Sequence, residues 1–158
     1  MKINIGIDPG KTGAIAFLEG EVLKRVLDMP VIPDGKGKKD KVDGAQLRRF
    51  IAELTAESRQ VHVYLERVGA MPGQGVTSMF NFGRSFGVVE GVVAGMGLPV
   101  TYVTPQAWKK AFGLIGAEKD ASRGRVVELY PEADVRRKKD SGRADAILIA
   151  RYGSQSSY

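Results

Sequence analysis

The chain has no cysteine. Disulfides, thiolate metal sites and thiol nucleophiles are therefore excluded. It has one histidine, His62, which excludes a multi-histidine zinc centre and argues against a histidine-centred triad. Any metal must be held by oxygen, which suits magnesium or manganese. A long uninterrupted apolar run is also missing. The most apolar stretch, 76–103, is broken by Asn81, Arg84, Ser85 and Glu90, so it reads poorly as a membrane span. The N-terminus lacks the charged, apolar and small-residue order of a secretion signal. The expectation is a soluble, intracellular (cytoplasmic) protein without a membrane partner.

The 158 residues fit one domain, 1–158, and 43% hydrophobic residues suffice for a core. A net charge of +6 and a pI near 9.6 favour a polyanionic partner, nucleic acid first.

Residues 3–7 alternate and end at Asp8, which reads as a strand. Residues 14–18 and 22–27 read as two more, joined at Glu19-Gly20-Glu21. Residues 30–41 hold two prolines, two glycines and four lysines, the composition of a loop. Asp43 suits the cap of a helix carrying Leu47, Phe50, Ile51 and Leu54. Residues 61–65 form a short apolar run ending in Glu66, and a Gly-rich loop, 68–76, follows. Thr77 is placed to cap a long helix to about Met96, stopped by Gly97 and Pro99. Residues 100–103 read as a strand, and Thr104-Pro105 as a cap with proline at the first helical position. Short helices are expected to Phe112 and over 120–130, then a charged linker, 136–140. A last helix is expected over 143–152, with a frayed tail at 153–158. Strands that meander and then alternate with helices argue for an α/β fold, a mixed sheet with helices on both faces.

Asp8 and Glu66 both end predicted strands. If those strands are neighbours, the carboxylates share one sheet edge. Asp145 falls in the first turn of the last helix. Such carboxylates repel one another unless cations neutralise them. That is the logic of a two-metal site, with ions roughly 3.5–4 Å apart activating a water and stabilising the leaving oxygen of a phosphodiester. For each acid alone, a turn or capping role is the plainer alternative.

Gly6-Ile7-Asp8-Pro9-Gly10, Tyr64-Leu65-Glu66, Pro105 to Lys110 with Glu118-Lys119, and Arg143-Ala144-Asp145-Ala146 resemble, in this order, the motifs of RuvC-type Holliday junction resolvases. The likeness is strongest to the small phage-encoded members. The resemblance implies a ribonuclease H-like fold, a homodimer, and Mg²⁺-dependent nicking of branched DNA, four-way junctions above all, in a bacterial or phage-infected cell. It implies that Asp8, Glu66 and Asp145 hold two Mg²⁺ ions per site, with Mn²⁺ substituting. It places Lys109, Lys110 and Lys119 near the scissile phosphate, and Met71 where a wedge could enter the junction crossover. Lys110 and Arg123 are counted with Lys109, Lys119 and Met71 as DNA contacts, Arg123 lying with Arg125 farther along the next helix. Bacterial members have a longer turn after the first Asp-Pro-Gly, and a fourth acid three residues before the last aspartate. That position is Gly142 here, and Asp140 is the alternative fourth acid or else a solvated linker residue. The loop lysines Lys36, Lys38, Lys39 and Lys41 are open to a DNA arm or to solvent.

Gly83, Gly87, Gly91 and Gly95 recur every four residues on the long helix. Each costs about 1 kcal/mol against alanine, so a closely approaching backbone is expected: the domain's own sheet, or the sister helix of a dimer. His62 and Trp108 read as structural, Trp108 as a core anchor.

Rival readings fare differently. The Asp8 turn resembles that of actin-like ATPases, but these need two such domains. A Walker loop has the wrong spacing around Gly6 and Gly10. A non-catalytic DNA-binding module would need the basic surface without the acids. A nuclease of broader branched-DNA specificity is a further alternative.

Overall fold

The computed structural model describes residues 2–36 and 40–156. Its centre is a five-stranded sheet in the order β3-β2-β1-β6-β7. β1 (Lys2–Asp8), β2 (Ala14–Glu19) and β3 (Val22–Asp28) form an antiparallel meander. β6 (Gln60–Glu66) runs parallel to β1, and β7 (Val100–Val103) parallel to β6. The helical segments before β6 and β7 are the crossovers that parallel pairing requires.

Alternation along the strands divides the core in two. Ile3, Ile5 and Ile7 face one side with Ile15, Phe17, Val63 and Leu65, under α1 (Gly44–Leu54) and α2 (Val76–Gly95). Ala14, Ala16, Leu18 and Tyr64 face the other, under α5 (Ser141–Ser156), with α3 (Pro105–Ala111) and α4 (Ala121–Leu129) beside it. Fully buried Ile5, Ile7, Leu65, Ile147 and Leu148 each contribute about 1.5–3 kcal/mol by leaving water. The mixed sheet with helices on both faces is present as expected.

Two caps are as the sequence suggests. Asp43 accepts from the Gln46 amide at 3.0 Å, and Thr104 from the Ala107 amide at 3.2 Å. Four expectations need correction. Residues 30–41 are not all loop: β4 (Val31–Pro33) pairs with β5 (Asp40–Val42). Pro33 ends its short strand, where a missing N–H is tolerated. Lys38 and Lys39 lie outside the described residues. α2 starts at Val76 with Gly75 at its cap and no side-chain cap bond, so Thr77 does not cap it. The charged segment expected as a linker ends in a 3-10 turn, Lys138–Asp140, anchored by buried Asp140. The tail is not frayed from 153: α5 continues to Ser156, with Gly153 and Ser154 buried. A Cβ at Gly153 would lie 2.3 Å from the Tyr64 ring; glycine there lets the helix end lie flat on β6.

The glycine stripe of α2 does not pack on the sheet. A Cβ at Gly83, Gly87, Gly91 or Gly95 would meet nothing within 4 Å. Val89 and Val93 are the buried residues of this helix.

Candidate active site

The register that pairs Ile7 with Leu65 brings Asp8 and Glu66 together at the ends of two parallel strands. Asp8 lies two residues after Gly6, and Glu66 two after Tyr64, so both point toward the α5 face. The close approach of α5 depends on Gly6. A Cβ at that position would lie 2.2 Å from the Ala146 carbonyl oxygen and 2.4 Å from the Ala150 nitrogen. Asp145 precedes Ala146 and is thereby set over the strand ends.

The electrostatics show the three acids acting on one another. Asp8 is pushed up to about 7, by burial first and then by the negative charges of Glu66 and Asp145; the Gly10 backbone and Lys119 pull the other way. Asp145 is raised to about 6, mainly by burial, against the Ser122 hydroxyl and the charges of Lys109 and Lys119. Glu66 is raised by burial, opposed by a hydrogen bond from Trp108, with Asp145 raising it further and Lys109 lowering it. The site is short of positive charge, which is the condition a bound cation relieves. Among the described residues no group of three or more His, Cys, Asp or Glu side chains is arranged, as it stands, to hold a metal ion. The donor set, carboxylate oxygens alone, fits a hard divalent cation.

Lys109 and Lys119 are brought to the acids, one from α3 and one from the loop before α4. Lys110 is exposed at the end of α3. Met71 is 67% exposed in the loop after β6, near exposed Val76 and Phe80 in sequence, so it is available to a partner. Lys11, in the turn after Asp8, lines a cleft of about 570 Å³ between the β4–β5 pair and α2. Lys41 and Arg84 line it too, both ion-paired to Asp34, at 3.3 and 2.7 Å.

Two predicted participants are engaged elsewhere. Asp140 is 2% exposed and bound by Arg137, through the guanidinium at 2.9 Å and 3.1 Å and the backbone amide at 2.9 Å. Arg143 adds a contact at 3.8 Å, and these arginines hold the Asp140 carboxyl below its ordinary range. It is a structural clasp at the start of α5, neither a member of the acid cluster nor a solvated linker residue. Arg123 chelates Asp120 and donates to the Val135 and Arg136 carbonyls, at 3.3 and 2.7 Å. It ties α4 to the segment after it, so its donors are already used within the fold.

Sequence reasoning missed Trp108 and Ser122. The Trp108 indole N–H donates to Glu66 Oε2 at 2.7 Å. The buried Ser122 hydroxyl faces Asp145 and draws its pKa down, although it makes no well-formed hydrogen bond. Neither has a sequence signal, because each becomes relevant only through the packing of α3 and α4 beside the sheet.

No protein-family model matches the chain. Over 99 residues, 60% of its length, it is 38% identical to the chloroplastic Holliday junction resolvase MOC1 of Chlamydomonas reinhardtii. The chain spans 11% of the length of that relative. Among solved structures it is similar to RuvC of T. thermophilus in complex with Holliday junction substrate. The TM-score is 0.65 at 20% identity, covering 95% of this chain and 91% of that one. A second Thermus thermophilus RuvC structure gives a TM-score of 0.56 at 17% identity, covering 97% and 95% of the two chains. The fold is therefore that of RuvC, the ribonuclease H-like arrangement expected from the sequence. No described helix is long and apolar enough to cross a membrane.

Proposed function

We propose that this chain is a metal-dependent endonuclease of the RuvC type that resolves four-way DNA junctions by paired cuts. The observation that carries the reading is the convergence of Asp8, Glu66 and Asp145 from β1, β6 and α5: burial raises all three carboxyls, Glu66 and Asp145 raise Asp8 further, and Asp145 raises Glu66. Buried mutual repulsion of this kind is an expense the fold has no structural reason to bear. The likeness to MOC1 and to RuvC bound to a junction supports the choice of substrate.

Asp8, Glu66 and Asp145 would hold Mg²⁺, or Mn²⁺ in its place, two ions per site. When bound, these ions supply activation of the attacking water and neutralise charge on the leaving oxygen. Lys109 and Lys119, which already act on the acids, hold the scissile phosphate and offset charge as it develops. Lys110, Lys11 and the cleft beside α2 supply further phosphate contacts, and Met71 reaches toward unstacked bases at the crossover. Two equivalent strands must be cut, so the working form is a C₂ dimer. The open glycine stripe of α2 is its proposed contact.

The test is cleavage of labelled linear, flap, Y-shaped and four-way DNA with Mg²⁺, Mn²⁺, Ca²⁺ or EDTA. Symmetric nicks confined to the four-way substrate in Mg²⁺ or Mn²⁺ are expected. Equal cutting of flaps and forks would leave the nuclease chemistry and remove the junction assignment. Full activity in EDTA would remove the metal.

A further inference from the structure

Trp108 is the only tryptophan in the chain, and it is 1% exposed. A buried indole N–H needs an acceptor, and a backbone carbonyl or neutral side chain serves most such rings. Here the acceptor is Glu66 Oε2, at 2.7 Å. The ring has a second task. Lys109 Nζ lies 5.6 Å from its centroid, within reach of the negative face of the π system. Lys109 in turn acts electrostatically on both Glu66 and Asp145. The helix bearing both residues is fixed at its start by the Thr104 cap and Pro105.

We propose that Trp108 is the positioning residue of this centre: its N–H fixes one oxygen of Glu66, leaving Oε1 to a cation, while its ring face seats Lys109 toward the substrate phosphate. One side chain thus sets the relative placement of a metal ligand and a phosphate-binding lysine. The inference rests on reading Glu66 as a metal ligand. Removing the outer hydrogen bond of a ligand typically weakens metal binding by roughly 10–100-fold. Trp108→Phe keeps most of the ring and its face but deletes the N–H, so metal affinity falls while phosphate binding through Lys109 is retained. Trp108→Leu deletes both.

As the sole tryptophan, Trp108 also reports on the site directly. In the wild-type protein without DNA, Mg²⁺ or Mn²⁺ is expected to change the tryptophan emission with saturation, and Glu66→Gln to abolish that response. In Trp108→Phe, the Mg²⁺ concentration that half-saturates the thermal shift is expected to rise roughly tenfold, with DNA affinity in EDTA unchanged. Trp108→Leu should lose DNA affinity as well. A merely structural tryptophan would lower the melting temperature without moving the metal concentration, and that result overturns the proposal. So does tryptophan emission indifferent to Mg²⁺ at concentrations that support cleavage, a measurement that stands even if the variants do not fold. Cleavage with a silent Trp108 removes this assignment alone; absence of both cleavage and any metal-dependent thermal shift removes the nuclease reading and this one with it.

Discussion

Gly142 stands with its backbone against the Thr12 carbonyl: a Cβ on Gly142 would lie 2.5 Å from that oxygen and 3.1 Å from the Gly13 α-carbon. The turn after Asp8 is short and folds under the first turn of α5. This is why the position that holds a fourth acid in bacterial members of the resembled family is glycine here. Gly142→Asp is therefore expected to destabilise the protein by about 2 kcal/mol or more, as overpacking against fixed backbone does, and not to raise activity. Chemical denaturation and nicking rates check both halves. A stable, faster Gly142→Asp enzyme would show that the turn yields easily.

Amide substitution at Asp8, Glu66 or Asp145 should abolish nicking and leave junction binding in place. Asp8→Asn should also stabilise the metal-free protein. Its carboxyl is raised from 3.8 to about 7 in the fold, so its charge opposes folding at neutral pH, by on the order of 2–4 kcal/mol when shared among coupled groups. Equilibrium unfolding in EDTA measures this. A destabilised Asp8→Asn protein would mean that the carboxylate makes contacts outweighing its repulsion.

The pH dependence follows with a definite sign. Asp8 and Asp145 are raised to about 7 and about 6, so between roughly pH 4 and 7 the folded protein binds more protons than the unfolded chain. Metal-free stability should rise as pH falls from 8 toward 5, and flatten below the unfolded carboxyl range. Protons and metal compete for the same oxygens, so the Mg²⁺ requirement should rise as pH drops below 7. Metal titrations at pH 6 and 8 check it; an identical requirement at both would contradict the raised carboxyls.

Lys109→Ala and Lys119→Ala should weaken DNA binding and reduce its salt dependence. The log–log slope should move by up to about one unit for each lost phosphate contact. Arg123→Ala should instead lower stability with little change in slope, since Arg123 is spent on Asp120 and two carbonyls. An altered slope for Arg123→Ala alone would reverse these roles.

Gly87 and Gly91 face open space in the single chain. Gly87→Leu/Gly91→Leu should therefore fold normally, sediment as a monomer and rarely cut both strands of one junction. A dimeric double variant would move the interface elsewhere.

The sequence made the sheet legible because residues 3–7 alternate, residues 61–65 form a short apolar run, and each stops at an acid. The long α2 and the caps at Asp43 and Thr104 were legible for local reasons. Asp140 and Arg123 were misread because their partners are set by the path of the chain between α4 and α5, and charge alone does not distinguish a solvated residue from a buried clasp. The β4–β5 pair was hidden by the lysines and glycines around it. Trp108 was legible as a core residue, but its N–H acquires an acceptor only when α3 lies beside the end of β6. The direction of the glycine stripe depends on which side of α2 holds Val89 and Val93, and four glycines in a row of turns do not reveal that.

The acids of the site are contributed by residues 8, 66 and 145, on three elements that meet only through β1–β6 pairing and the docking of α5 on Gly6. During synthesis the first two can come together long before the third leaves the ribosome. On the proposed reading a growing chain stays inert toward DNA until α5 closes on the sheet, and because that helix is itself the most deeply buried one in the fold, the blade and the core are assembled in the same step.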